Sequence, residues 1–255
     1  MRVIDFHMHP FLTPDENLCH YPIGPKTGDD IAIDMARAGI SVFCGSVSSK
    51  RGCPAGFGDL RELNTHALRL REFFGGAYIP GVQVHPAYVD DSCAELVRMK
   101  EQGVVLIGEL APYVMGWSDY SDHGFFNILE HAQSLAMAVS FHTMDFEAMR
   151  KMIGAFPGII FVAAHPREYD EYMKHLALMK KFDNYHLDIS GTGLFRYGML
   201  RYGINQCGKE RFLFGTDYPI CNPQMYLQGV LYERLTSSEL DAVFHENAER
   251  ILQMS

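Results

Sequence analysis

The chain has 255 residues, 47% of them apolar and 21% charged, with a formal net charge of −9. That length can bury a full core as one domain, residues 1–255, and is close to the roughly 250 residues of an eight-fold β/α barrel. The acidic balance argues against nucleic acid as a partner, because phosphate backbones are held by clustered Lys and Arg. No stretch approaches the roughly 18 apolar residues of a membrane span, so no membrane partner is expected.

Short apolar runs alternate with amphipathic stretches from end to end. The pattern predicts strands at 3–9, 40–47, 77–85, 104–110, 138–142, 159–165, 185–190 and 212–217. Helices are predicted between and after them, at about 28–38, 59–74, 90–102, 124–137, 145–155, 170–182, 195–207 and 223–234. Within 59–74, Leu60, Leu63, Ala67, Leu70 and Phe74 share one face. Thr236 and Glu239 have capping-box spacing, which predicts a helix from Ser237. The tail, Asn247 to Met254, reads as a last helix packed on the outside. Strands alternating with helices imply βαβ units and a parallel sheet, here a (β/α)8 TIM barrel. Long segments at 10–27, 48–58 and 111–123 follow strands one, two and four, on the face where such barrels carry their sites.

Six cysteines, Cys19, Cys44, Cys53, Cys93, Cys207 and Cys221, form no CxxC pair. Reduced thiols in a reducing compartment are the simplest reading. The first apolar run is broken by Asp5, His7 and His9, unlike a signal peptide. A cytoplasmic protein is expected.

The chemistry lies at the strand ends. His7 and His9 close the first strand, Glu109 the fourth, His142 the fifth, His165 the sixth and Asp217 the eighth. Period two puts His7 and His9 on one face, where neutral imidazoles converge on one cation. Alone, an HxH pair is as easily chance; with three further donors in register on later strands, chance is a poor account. Asp5 reads as a buried structural acid, and Asp188 on strand seven as an acid behind the donors or one simply buried and paired. His85 ends strand three, as a substrate contact or a packed residue. Lys50, Arg51, Arg167 and Arg196 follow strands two, six and seven, and Tyr113, Trp117 and Tyr218 follow strands four and eight. Together they suggest a pocket for a small anion with an apolar or aromatic body. Each cation alone is as well explained by a solvated surface, Arg167 least so, because it lies two residues from His165. His66, His131 and His175 lie on helical stretches and read as surface or packing residues.

The set Asp5-x-His7-x-His9, the histidines ending strands five and six, Gly215-Thr216-Asp217 and the closing Glu246-Asn247-Ala248-Glu249-Arg250 resemble the amidohydrolase superfamily, in its amidohydrolase-related branch. The resemblance spans the chain. It implies a barrel with one or two divalent metals that activate water, in hydrolases of amides, esters and lactones and in decarboxylases and hydratases of small acids. Glu109 stands where many binuclear members carry a carboxylated lysine, as in TatD-like members. It reads as a ligand bridging two cations, with His142 and His165 on the second; the alternative is an acid beside a single metal. Zinc suits this donor set first, with manganese, iron or nickel possible. Asp217 is the expected ligand and proton carrier. His165 is either a second-metal ligand or the group that polarises the substrate.

The reading that follows is a metal-dependent hydrolase of an amide, ester or lactone bond in a small, anionic molecule. The alternatives are a decarboxylase or hydratase of a small carboxylic acid, a TatD-like nuclease, and a metal-binding barrel without catalysis. Related decarboxylases are usually longer, and some begin with Glu at the position of Asp5; both points favour hydrolysis.

Overall fold

The computed structural model describes residues 1–47, 55–194 and 196–254. Eight strands form one parallel sheet in sequence order. They are β1 (Ile4–Asp5), β2 (Val42–Ser46), β3 (Tyr78–Val82), β4 (Leu106–Leu110), β5 (Ala138–His142), β6 (Phe161–Ala164), β7 (Tyr185–Asp188) and β8 (Phe212–Leu213). The first and last close on each other beyond their formal ends. Phe6 N–H donates to Phe214 O at 2.8 Å, Asp217 N–H to His7 O at 2.8 Å and His9 N–H to Tyr218 O at 2.8 Å. The predicted barrel is therefore present, each strand within its predicted bounds and all but β5 shorter than them.

The major helices lie where the apolar period places them. They are α1 (Gly28–Ala38), α2 (Phe57–Phe73), α3 (Val89–Glu101), α4 (Pro112–Met115), α5 (His123–Ser134), α6 (Phe146–Ala155), α7 (Tyr169–Lys181), α8 (Met199–Cys207), α9 (Pro223–Tyr232), α10 (Ser237–Asp241) and α11 (Asn247–Ile251). Local chemistry fixes several starts. Thr27 and Asp30 form a capping box before α1, Thr236 and Glu239 another before α10, and Asp122 and Asp145 cap α5 and α6. Each such cap satisfies an amide left over in the first turn, worth about 1 kcal/mol. The short α4 lies in the segment 111–123, which carries no helix in the sequence pattern. A π-helical turn, Ala242–Glu246, joins α10 to α11.

The main core lies between sheet and helices, with Val139, Phe141, Phe161, Tyr185 and Leu187 meeting Leu96, Ile128, Met149 and Leu176. A second cluster gathers Ile4, Cys44, Leu106, Ala138, Val162 and Leu213 from six strands with Ala248, Ile251 and Leu252. The C-terminal helix thus covers the end of the barrel where strands begin, rather than packing on its outer side. That leaves the opposite end open. Among the described residues the five cysteines are free, and no helix is long and apolar enough to cross a membrane.

Candidate metal centre

The open end brings together His7, His9, Glu109, His142, His165 and Asp217. Parallel strands in register deliver them to one level. His142 is the last residue of β5, Glu109 the penultimate residue of β4, and His165 follows β6 directly. His165 and Asp217 both take left-handed φ, 72° and 62°, where the chain turns out of its strand. Gly191, at φ 63°, makes room for the His165 ring, since a Cβ there would lie 2.2 Å from Nδ1.

Four of the donors form one compact set. His7 Nε2 lies 3.3 Å from His9 Nε2, 3.3 Å from Glu109 Oε2 and 3.6 Å from Asp217 Oδ1. His9 Nε2 lies 3.6 Å from Glu109 Oε2 and 3.4 Å from Asp217 Oδ1. Ligand atoms about 2.0–2.2 Å from a shared tetrahedral cation stand about 3.3–3.6 Å apart, and these five distances match edges of such a set. The tautomers agree. His9 Nδ1 donates to Ser46 O at 3.2 Å, and His7 Nδ1 to Asp188 Oδ2 at 3.0 Å. With these Nδ1–H bonds made, a cation at the shared point would meet the Nε2 lone pair of each ring beside the carboxylates. Two lone pairs and two carboxylates facing one point need a positive charge between them.

The electrostatics carry the same message. Burial disfavours a charged His7, yet Glu109 and Asp188 overcome that and raise its pKa well above the usual value. Burial also pushes Glu109 upward, but His7 and His142 hold it well below the usual carboxylate range. The fit to a divalent cation is good: two imidazoles and two carboxylates, all buried, suit zinc or manganese.

Glu109 has a second oxygen, and it faces a second group. Oε1 accepts from His142 Nδ1 at 2.9 Å and lies 3.9 Å from His165 Nε2. The His142 and His165 rings are 4.8 Å apart. Glu109, rather than His142, completes the set around His7 and His9.

Behind these donors lies a layer that the sequence reading only partly reached. Asp188 receives His7 Nδ1 on one oxygen and the Ser190 hydroxyl on the other, and Ser190 Oγ accepts from His165 Nδ1 at 3.1 Å. One buried carboxylate thus orients two imidazoles. Burial would raise its pKa, but His7 and Ser190 lower it. Asp188 was legible as a strand-seven acid, and Ser190 follows it at period two; nothing but that spacing marks it. Ser46 Oγ and Gln83 Nε2 both donate to Glu109 O, at 2.9 and 2.8 Å. Asp5 accepts from His7 N at 3.1 Å, Thr216 N at 3.0 Å and Thr216 Oγ1 at 2.5 Å, locking β1 to the residues after β8. Burial raises its pKa to about 7 against these bonds.

The expected substrate contacts divide. Tyr113 is exposed and packs edge-on against His142, with ring centroids 5.1 Å apart. Arg167, at φ 65°, sits at the rim with its N–H on Thr192 O at 2.8 Å. Three others serve the fold instead. Both nitrogens of His85 are taken, Nε2 donating to Met115 O and Nδ1 accepting from Ala87 N, each at 3.0 Å. Trp117 packs on Phe125 and Tyr120, at 4.9 and 5.7 Å between rings. The Tyr218 side chain is buried, and its hydroxyl donates to Asp34 of α1 at 2.9 Å. Lys50 and Arg51 lie outside the described residues. His175 is fully buried, with Nδ1 2.6 Å from the Tyr185 hydroxyl, a packing residue rather than a surface one.

An eight-stranded β/α barrel with a cluster of imidazoles and carboxylates at its C-terminal mouth is the architecture of a metal-dependent barrel enzyme. The amidohydrolase family profile matches residues 4–254, and the chain belongs to that family. No curated protein matches it by sequence. Solved structures resemble it end to end at low identity. A 2,6-dihydroxybenzoate decarboxylase from Rhizobium aligns with TM-score 0.79 and 14% identity, over 99% of both chains. A dihydroxybenzoic acid decarboxylase from Polaromonas, with manganese and the inhibitor 2-nitroresorcinol bound, aligns with TM-score 0.74 and 14% identity, over 99% of this chain and 97% of its own. A probable 2-pyrone-4,6-dicarboxylic acid hydrolase from Acinetobacter baumannii, with citric acid bound, aligns with TM-score 0.66 and 15% identity, over 99% of this chain and 100% of its own.

Proposed function

We propose that the chain is a divalent-metal-dependent, non-oxidative decarboxylase of a small hydroxylated aromatic acid. This reverses the order of preference reached from sequence. The observation that carries it is the four-donor set of His7, His9, Glu109 and Asp217, in which the spare oxygen of Glu109 already accepts a hydrogen bond from His142. One cation then suffices to neutralise the centre. The end-to-end likeness to decarboxylases supports the same reading.

A bound divalent cation would hold oxygens of the acid and draw electron density from it. The residues supply position and protons. When the bond to the carboxyl group breaks, CO2 leaves and its bonding pair stays on the ring carbon, which must gain a proton. Asp217 is placed to relay it, taking a proton from solvent at its exposed edge and passing it to the carbon: its backbone is pinned to His7 O, Oδ1 lies among the donors, and the carboxyl side chain is 10% exposed. His165, with Nδ1–H on Ser190, turns Nε2 into the site as an acceptor for a substrate hydroxyl. Burial and the neighbouring His7 lower its pKa, which keeps it neutral for that task. Tyr113 offers an aromatic edge beside His142.

The test is a product analysis with 2,6-dihydroxybenzoate, 5-carboxyvanillate and 2-pyrone-4,6-dicarboxylate. CO2 release with formation of the decarboxylated phenol is expected. Ring opening of the pyrone by water, without CO2, would instead establish hydrolysis. That second reading has its own support, because Glu109, His142 and His165 form a donor cluster on the other side of the carboxylate.

A further inference from the structure

A separate cavity of about 190 Å³ opens on the rim, between the first turns of α7 and α8. Its walls are Tyr169, Tyr172, Tyr197 and Tyr202, with Arg167 and Arg196 beside them, and none of the six metal-centre residues lines it. Tyr169 and Tyr197 are each 67% exposed, large rings left facing solvent at its edge. Pockets for drug-sized ligands run to about 300–1,000 Å³, so this one holds about a single ring with one substituent. Tyrosine rings and guanidinium planes along the walls favour a flat aromatic body. The charge points to an anion. Arg167 Nε is buried without a hydrogen-bond partner, although the Glu171 carboxylate stands 3.6 Å away. Arg196 holds Glu168. The Arg167 guanidinium has five N–H donors in a fork that matches a carboxylate, and its contact to Glu171 does not use them all.

We propose that this cavity is a second ligand site, distinct from the metal centre, that binds a single-ring aromatic monocarboxylate. The inference stands apart from the reaction assigned above, since none of the six metal-centre residues lines the cavity.

Benzoate is the probe, titrated calorimetrically into the full chain before and after metal removal by chelator. One saturable benzoate per chain is expected, retained after chelation, with phenol and cyclohexanecarboxylate each at least about tenfold weaker, the loss of roughly one good contact. Met173→Trp, which fills the cavity, is expected to weaken benzoate at least about tenfold while leaving metal content unchanged. If that variant misfolds, Tyr202→Ala at the exposed lip must show the same weakening. The proposal is overturned by the absence of saturable binding. It is equally overturned by binding that disappears with the metal, or by benzoate affinity unchanged in the folded cavity variant. Because benzoate carries no hydroxyl and the readout is binding, failure here leaves the reaction untouched, and failure of the decarboxylase reading leaves this site standing.

Discussion

The floor and the rim of the barrel mouth obey different rules. On the floor, His7, His9, Glu109 and Asp217 come from strands or strand ends, and backbone bonds between neighbours set their level. On the rim, each side chain finds a partner in whichever helix or loop lies nearest: His85 in Met115, Tyr218 in Asp34, Arg196 in Glu168. The floor is therefore fixed by register, while the rim is fixed by packing that no single segment specifies. A change on the floor should strike chemistry and metal; a change on the rim should strike stability or ligand preference.

The largest expected effect is at Asp217. Asp217→Asn keeps shape but carries no titratable proton, and turnover should fall about 10²–10⁴-fold beyond any loss of metal. Near-normal turnover in the metal-loaded variant would assign the proton to another group. Next comes the support layer. Asp188→Asn should weaken metal affinity about 10–100-fold, as loss of the partner that orients a ligand imidazole does, with the fold intact by circular dichroism. Ser190→Ala, which frees His165 but leaves the Asp188 oxygen that holds His7, should move kcat more than metal affinity. An Asp188 variant with unchanged metal affinity would break the claim that the floor is oriented from behind.

This division also explains what was legible. The alternation of apolar runs was enough for the barrel, because a parallel sheet buried on both faces reads as short continuous apolar strands. The donors were visible because strand ends in such a barrel converge on one point. The support layer was half visible: Asp188 stood out as an acid in an apolar strand, but Ser190, Ser46 and Gln83 carry no signal that distinguishes them from ordinary polar residues. Tyr218, expected at the substrate, and His85, left open between substrate contact and packing, are the instructive cases. Both stand at strand ends, as the donors do, yet their polar atoms are spent on Met115 and Asp34, partners far away in sequence. The C-terminal helix was seen as a helix, but its place across the barrel end depends on contacts with six strands at once.

A smaller effect belongs to the rim. Tyr218→Phe removes the bond to Asp34 and should cost about 1 kcal/mol of stability with turnover nearly unchanged. Loss of turnover without loss of stability would move Tyr218 back among the substrate contacts. An effect absent at neutral pH and growing in acid is shared by two buried imidazoles away from the four donors. Burial lowers the pKa of His175 and of His186 to about 3 from the ordinary 6.5. Both stay neutral in the folded chain and take up protons on unfolding. Their contribution to stability is whole above pH 6.5 and is lost as pH falls from there toward 3, by about 1.4 kcal/mol per pH unit for each group. His186→Phe should flatten the acid limb of denaturant midpoint against pH by one proton; an unchanged slope would show that His186 already charges in the folded state.

The direct test of the floor is a titration of chelator-stripped protein with Mn²⁺, read by electron paramagnetic resonance and repeated on His7→Ala/His9→Ala. The account predicts one tightly held cation per chain in the parent and none in the double variant. Two tight cations would turn Glu109 into a bridge and favour hydrolysis; a full complement of metal in the folded double variant would contradict the assignment of the site itself.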